Sequence, residues 1–177
     1  MEIRKNWDCN ILKKIMFLEI GIDPKYVDTK YFIQKIEKGI HEENNLSNKT
    51  HVKGKMTDFK YFNADEKFVK LLSIVFSNFP NNFPKLNLRN TESWGIKMCQ
   101  GDYTTKHNHD NSGYSSVLYL TDSNDEIIFE QLNLKIKPKK NTFLFFDAAL
   151  YHEVERLKDK LKYAIACNYV IEQEWVN

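Results

Sequence analysis

His107 and His109 lie one residue apart in the run Gly101-Asp102-Tyr103-Thr104-Thr105-Lys106-His107-Asn108-His109, just ahead of the apolar stretch Ser115-Ser116-Val117-Leu118-Tyr119-Leu120. His152 follows a second apolar stretch, Thr142-Phe143-Leu144-Phe145-Phe146. In an extended chain, side chains alternate faces and residues two apart point the same way. Both imidazoles of the pair can therefore turn to the inside of a sheet, and a third from a distant strand would complete one triangular face of a metal ion. The opposite coordination positions would stay open, the arrangement that lets non-haem iron take up substrate and oxygen. A lone His-x-His is a modest signal, since hydrogen-bonded and solvated histidines are common. Here three of the five histidines fall within two strand contexts, which strengthens it.

The elements that would position these residues are short strands. The segment Leu161-Lys162-Tyr163-Ala164-Ile165-Ala166-Cys167-Asn168 sets Lys162, Ala164, Ala166 and Asn168 on one face, and Tyr163, Ile165, Cys167 and Tyr169 on the other. A long cation beside two small residues describes a floor with space above it and one charge at its end. The competing reading is a lysine on an edge strand reaching solvent. Trp94, Ile96 and Met98 alternate with Gly95, Lys97 and Cys99, and further strand-like runs follow at 114–121, 126–130, 132–137, 142–146 and 161–171. The polar segments 122–125 and 138–141 read as turns. Such closely spaced strands argue for a barrel or jelly roll, with the first half of the chain packed outside it.

That first half reads as mixed, with two helices. Asp28 or Thr29 can cap a helix that carries Phe32, Ile33, Ile36 and Ile40 on one side and ends in the polar stretch 42–45. Asn63 and Glu66 have capping-box spacing ahead of the stripe Phe68, Leu71, Leu72, Val75 and Phe79, which reads as core and stops before Pro80. Asn81-Asn82-Phe83-Pro84 reads as a loop.

At 177 residues, 42% apolar and 14% aromatic, the chain can bury a substantial core and is too apolar for disorder. A net charge of +2 and scattered lysines argue against nucleic acid. Lys135 and Lys137, alternating with Leu134 and Ile136, look like the wet face of a half-buried strand. Cys9, Cys99 and Cys167 lie far apart, which favours reduced, mostly buried thiols over a zinc site or redox pair. The first residues lack the apolar core of a secretion signal, and Lys and Glu interrupt every candidate membrane span. A soluble cytoplasmic protein, bacterial or from a phage-infected cell, is the expectation; oligomeric state is unreadable.

The motifs Gly101-x-Tyr103-x-x-x-His107-x-His109, Ser115-x-Val117-x-Tyr119, Phe146-x-x-x-Leu150-x-His152 and Lys162-x-Ala164-x-Ala166-x-Asn168 resemble those of 2-oxoglutarate and Fe(II)-dependent oxygenases. The likeness is greatest to small bacterial and phage hydroxylases related to the prolyl hydroxylases. It covers Trp94 to Val170, and Val52–Thr57 also resembles phage-type members. The resemblance implies an α+β, mainly β fold: a double-stranded β-helix, jelly-roll or cupin-like core with N-terminal helices outside. A single oxygenase domain over 1–177 is expected, with 1–85 as the helical and mixed supporting part and 86–171 as the core.

Carried over residue by residue, the resemblance makes His107 and His152 iron ligands and places His109 where most of the family has an aspartate. Lys162 takes the place of the basic residue, usually Arg, that pairs with the far carboxylate of 2-oxoglutarate, and Tyr119 matches a tyrosine that hydrogen-bonds the same group. Ala164 replaces a frequent serine, so one hydrogen bond to the co-substrate is missing. The third ligand position is open between His109, Asp110 and water or an anion, with His109 favoured because Asp110 points to the opposite strand face. Implied cofactors are Fe(II), 2-oxoglutarate and dioxygen, with ascorbate as candidate reductant. The implied reaction is hydroxylation of an unactivated C–H bond, in a protein or peptide residue such as proline or in a small molecule, with release of succinate and CO2. Two alternatives stand beside it: a three-histidine cupin-type iron dioxygenase that does not use 2-oxoglutarate, and a non-catalytic jelly-roll binding module.

Overall fold

The computed structural model describes residues 3–5, 16–42, 51–81, 83 and 86–172. Among them, twelve strands build two antiparallel sheets. The larger has the order β1 (Ile3–Lys5), β2 (Phe17–Gly21), β10 (Thr142–Asp147), β7 (Tyr114–Tyr119), β12 (Leu161–Ile171), β5 (Leu88–Cys99) and β4 (Lys55–Met56). The smaller runs β3 (Val52–Lys53), β6 (Tyr103–His107), β11 (His152–Val154), β8 (Ile127–Phe129) and β9 (Leu134–Ile136). Two helices, α1 (Thr29–Glu42) and α2 (Glu66–Ser77), cover the outer face of the larger sheet.

Strict alternation divides the interior into two cores. On β12, Tyr163, Ile165, Cys167 and Tyr169 face the helices, while Ala164 and Ala166 face the smaller sheet. On β10, Phe143 and Phe145 go to the helical side and Leu144 and Phe146 to the space between the sheets. Each leucine, isoleucine or phenylalanine among them contributes about 1.5–3 kcal/mol by leaving water, so a one-residue slip of either strand would undo both cores together. Trp94, Ile96 and Met98 of β5 line the intersheet core, as their alternation predicts.

Asp28 caps α1, its Oδ1 accepting from the Tyr31 amide at 3.1 Å. The capping residue of α2 is Asp65, not Asn63: its Oδ1 accepts from the Phe68 amide at 2.9 Å. Asn63 instead spends its side chain on β5, donating to the Thr91 carbonyl and accepting from the Ser93 hydroxyl. Asp65 also takes Lys35 and the Tyr31 hydroxyl, each at 2.6 Å, and so ties α2 to α1.

The first half of the chain does more than cover the core. It inserts β2 beside β10, adds β4 to the edge of β5 and lays β3 along β6, so it contributes strands to both sheets. Cys167 is buried, Cys99 is exposed, and Cys9 lies outside the described residues, as does part of the loop expected at 81–84. No helix among the described residues is long and apolar enough to cross a membrane.

Candidate active site

His107 closes β6 and stands opposite His152, the first residue of β11. The register between these strands slips by one residue before Val154 pairs with Thr104. This bulge turns both Thr104 and His107 inward, although they are three residues apart. His109 follows the end of β6, in a loop pinned by its own amide donating to the Ala148 carbonyl at 2.8 Å. The pair thus converges through a bulge and a tied loop, where simple strand alternation was expected.

The three imidazoles meet: their ligating nitrogens lie within 4.8 Å of one another. Nδ1 of His107 faces the Thr105 carbonyl at 2.8 Å and Nδ1 of His152 the Leu150 carbonyl at 3.1 Å. A carbonyl only accepts, so both Nδ1 atoms carry the proton and both Nε2 atoms are left with a lone pair, as a metal ligand requires. Burial holds all three rings neutral: it lowers the pKa of His107, takes His109 to about 4 and takes His152 to about 3. Asp110 is exposed and accepts from the Asn108 side chain at 2.7 Å, apart from the trio.

Across from the histidines, β12 supplies Lys162, only 3% exposed. Its Nζ has no hydrogen-bond partner among the described residues and lies 6.0 Å from the centre of the Tyr119 ring. Desolvation depresses its pKa to about 8, opposed by the fields of Asp125 and Asp159. Tyr119, on β7, is buried and its phenol is pushed well above the usual range. The competing reading, an edge lysine reaching solvent, is not what the fold builds; the floor with one charge at its end is.

His107, His109, His152, Lys162 and Tyr119 all line one cavity of about 70 Å³ between the sheets. No acidic side chain among the described residues lines it. It adjoins an open groove of about 940 Å³, which shares His107, His109, Val52 and Trp94 with the cavity and is walled by Phe59, Lys60, Arg89 and Glu92. At the shared wall, the Trp94 ring lies 6.4 Å from that of His109, and its buried Nε1 also lacks an acceptor among the described residues. Asn168 lines the groove with both ends of its amide engaged, by Ser115 and by Glu92.

No protein-family model and no curated protein matches the chain. Solved structures do. A collagen prolyl hydroxylase of Paramecium bursaria Chlorella virus-1, in complex with 2-oxoglutarate, superimposes with a TM-score of 0.62 at 17% identity, over 88% of this chain and 96% of its own. HygX from Streptomyces hygroscopicus, with nickel and 2-oxoglutarate bound, gives 0.65 at 13% identity over 88% and 82%. A Trichoplax adhaerens prolyl hydroxylase, in complex with a hypoxia-inducible factor peptide, gives 0.64 at 14% identity over 88% and 83%.

The fold is that of these prolyl hydroxylases.

The double-stranded β-helix implied by the resemblance, in line with the jelly roll expected from strand spacing, is therefore present, with the helices outside it. Within this fold, two features of the site escaped the sequence. His51, just before β3, stacks on His107, yet it is an isolated histidine after a polar tract and carries no pattern. Trp94 was legible as an inward residue from its alternation with Ile96 and Met98, but nothing in that pattern announces an unpaired indole N–H beside His109.

Proposed function

We propose that this protein is a 2-oxoglutarate- and Fe(II)-dependent dioxygenase that hydroxylates an unactivated C–H bond of a protein or peptide residue, such as proline. The observation that carries the reading is a buried lysine ammonium with no hydrogen-bond partner among the described residues, sharing with three neutral imidazoles one cavity that no described acidic side chain lines. Leaving such a charge unpaired in an apolar site is costly, and a ligand carboxylate removes the cost. His107, His109 and His152 would hold the iron, and Lys162 with Tyr119 would hold the far carboxylate of 2-oxoglutarate.

Iron, 2-oxoglutarate and dioxygen supply the oxidising chemistry when bound, yielding succinate and CO2, with ascorbate as candidate reductant. The chain's own residues bind, orient and exclude water. Three uncharged ligands leave the metal its full double charge, and no acid in the lining offsets it, so the cavity attracts a dianion. Lysine keeps the charge but not the two-pronged geometry of arginine, so Tyr119 takes a larger share in orienting the co-substrate. Phe146, Val154, Ala164 and Ala166 keep the reacting centre dry. The open groove beside His109 is where a substrate chain would arrive, in keeping with peptide-binding prolyl hydroxylases among proteins of this fold.

The ligand set by itself also suits a three-histidine iron dioxygenase that works without 2-oxoglutarate, but that reading leaves Lys162 without a partner. The test is anaerobic addition of Fe(II) and 2-oxoglutarate, followed by succinate-coupled turnover across peptides, free amino acids and oligonucleotides. A visible charge-transfer band and succinate release are expected, both lost in His152→Ala. Oxygen uptake without succinate would favour the rival, and unchanged metal content in His152→Ala would overturn the ligand assignment.

A further inference from the structure

A metal-binding imidazole needs its ring plane fixed as well as its tautomer, and one hydrogen bond does only half of this. The bond from His107 Nδ1 to the Thr105 carbonyl sets the tautomer but leaves the ring free to swing about that bond. The face of the ring is covered by His51, whose imidazole lies parallel to it within 9°, with centroids 4.5 Å apart. His51 is exposed and lines the groove, so it stands between His107 and incoming water.

His51 is itself held in place. Its carbonyl accepts from the Thr105 amide at 3.0 Å and from the Thr105 hydroxyl at 3.3 Å, and its Nδ1 lies 3.2 Å from the same hydroxyl. With the hydroxyl donating to the carbonyl, its oxygen is free to accept from Nδ1. Thr105 thus grips both rings, His51 through its amide and hydroxyl and His107 through its carbonyl. The ladder continues into β3, where Val52 pairs with Thr104 and Lys53 with Tyr103.

We infer that His51 is a positioning residue of the metal centre: stacked on His107 and tethered by Thr105, it fixes the ligand ring without belonging to the trio. The inference rests on the metal-site reading above. It assigns to the first half of the chain a direct part in the site, delivered by the strand laid along β6. Removal of residues that orient a ligand typically lowers metal affinity by about 10–100-fold.

The experiment is calorimetric titration of Ni(II) into metal-free protein, paired with the visible spectrum after anaerobic addition of Fe(II) and 2-oxoglutarate. His51→Ala is expected to weaken Ni(II) by about tenfold or more and to shift the charge-transfer band. His51→Phe, which keeps a flat ring but no Nδ1, is expected to recover most of the affinity. Wild-type affinity in His51→Ala overturns the inference, as does equal weakness of the alanine and phenylalanine variants with melting temperatures intact. If His51→Ala does not fold, Thr105→Val decides: it keeps both rings and the backbone bond to His51 but removes the hydroxyl that holds the His51 ring, and unchanged Ni(II) affinity there overturns the inference. Failure of the wild type to bind metal at all would instead overturn the site reading beneath it.

Discussion

Lys162 illustrates how a residue can serve a site at the expense of the fold. Its ammonium is desolvated and has no hydrogen-bond partner among the described residues, and its pKa falls from 10.5 in the unfolded chain to about 8 in the native state. Below pH 8 the lysine is protonated in both states, and the native state carries the full penalty of the buried charge, about 3 kcal/mol. Between pH 8 and 10.5 the unfolded chain holds the proton more tightly, so stability rises with pH until the penalty is gone. Lys162→Met is therefore expected to melt higher than wild type at pH 7, with the advantage fading as pH approaches 10.5. Thermal unfolding of both proteins across that range checks this, and a variant less stable than wild type at neutral pH would contradict it. The gain should come with loss of 2-oxoglutarate binding, because the charge that destabilises the empty site is the one that would meet the ligand's carboxylate. A second, smaller effect is expected from Tyr119→Phe. Losing one hydrogen bond of about 0.5–1.5 kcal/mol should weaken 2-oxoglutarate roughly 2–10-fold and leave metal affinity alone, as titration of each ligand would show.

Elements were legible where periodicity and chemistry are local. The face split of β12, the stripe of α2 and the cap at Asp28 all follow from neighbours within a few residues. What escaped depends on contacts distant in sequence. β2 pairs with β10 across more than half the chain, β3 and β4 are two residues each, and the bulge that turns His107 inward is a property of two strands together. The cap of α2 moved to Asp65 because Asn63 is claimed by the backbone and side chains of β5, which no local pattern reveals. The close seat of α1 on β5 is of the same kind. It depends on Gly95, where a Cβ would run into Ile36; Gly39 likewise seats α1 against the segment after β4, where a Cβ would come within 2.7 Å of Thr57 and Tyr61. Gly95→Ala must push α1 off the sheet, an overpacking that costs about 1–3 kcal/mol. Urea unfolding should show a lowered midpoint with an unchanged slope. The proposed metal site lies on the other face of β5, so Ni(II) affinity of the folded variant should stay within experimental error of wild type.

At the scale of the whole molecule, the division of labour between the sheets sets how ligands should act on stability. The histidines come from β6, its following loop and β11, on the side of the smaller sheet, whereas Lys162 and Tyr119 come from β12 and β7 of the larger. Metal alone would join residues of one sheet. 2-Oxoglutarate, chelated at one end and held by Lys162 at the other, would span both. A ligand that binds only the native state at a hundred times its dissociation constant adds about 2.7 kcal/mol, which for a chain of this length raises the melting temperature by roughly 5–10 °C. Ni(II) is therefore expected to stabilise wild type by itself, and 2-oxoglutarate to add a further increment only when Ni(II) is present. In Lys162→Ala the metal-dependent increment should survive while the 2-oxoglutarate increment collapses, since the trio is intact and only the bridge to the larger sheet is cut. In His152→Ala both should vanish, because without the metal the co-substrate has one end to hold. Scanning calorimetry of the three proteins, with neither ligand, with each and with both, gives twelve melting temperatures that distinguish these patterns. A 2-oxoglutarate increment that persists in Lys162→Ala would place the far carboxylate elsewhere. An increment without metal would mean that the two sheets are joined by some route other than the one the cavity provides.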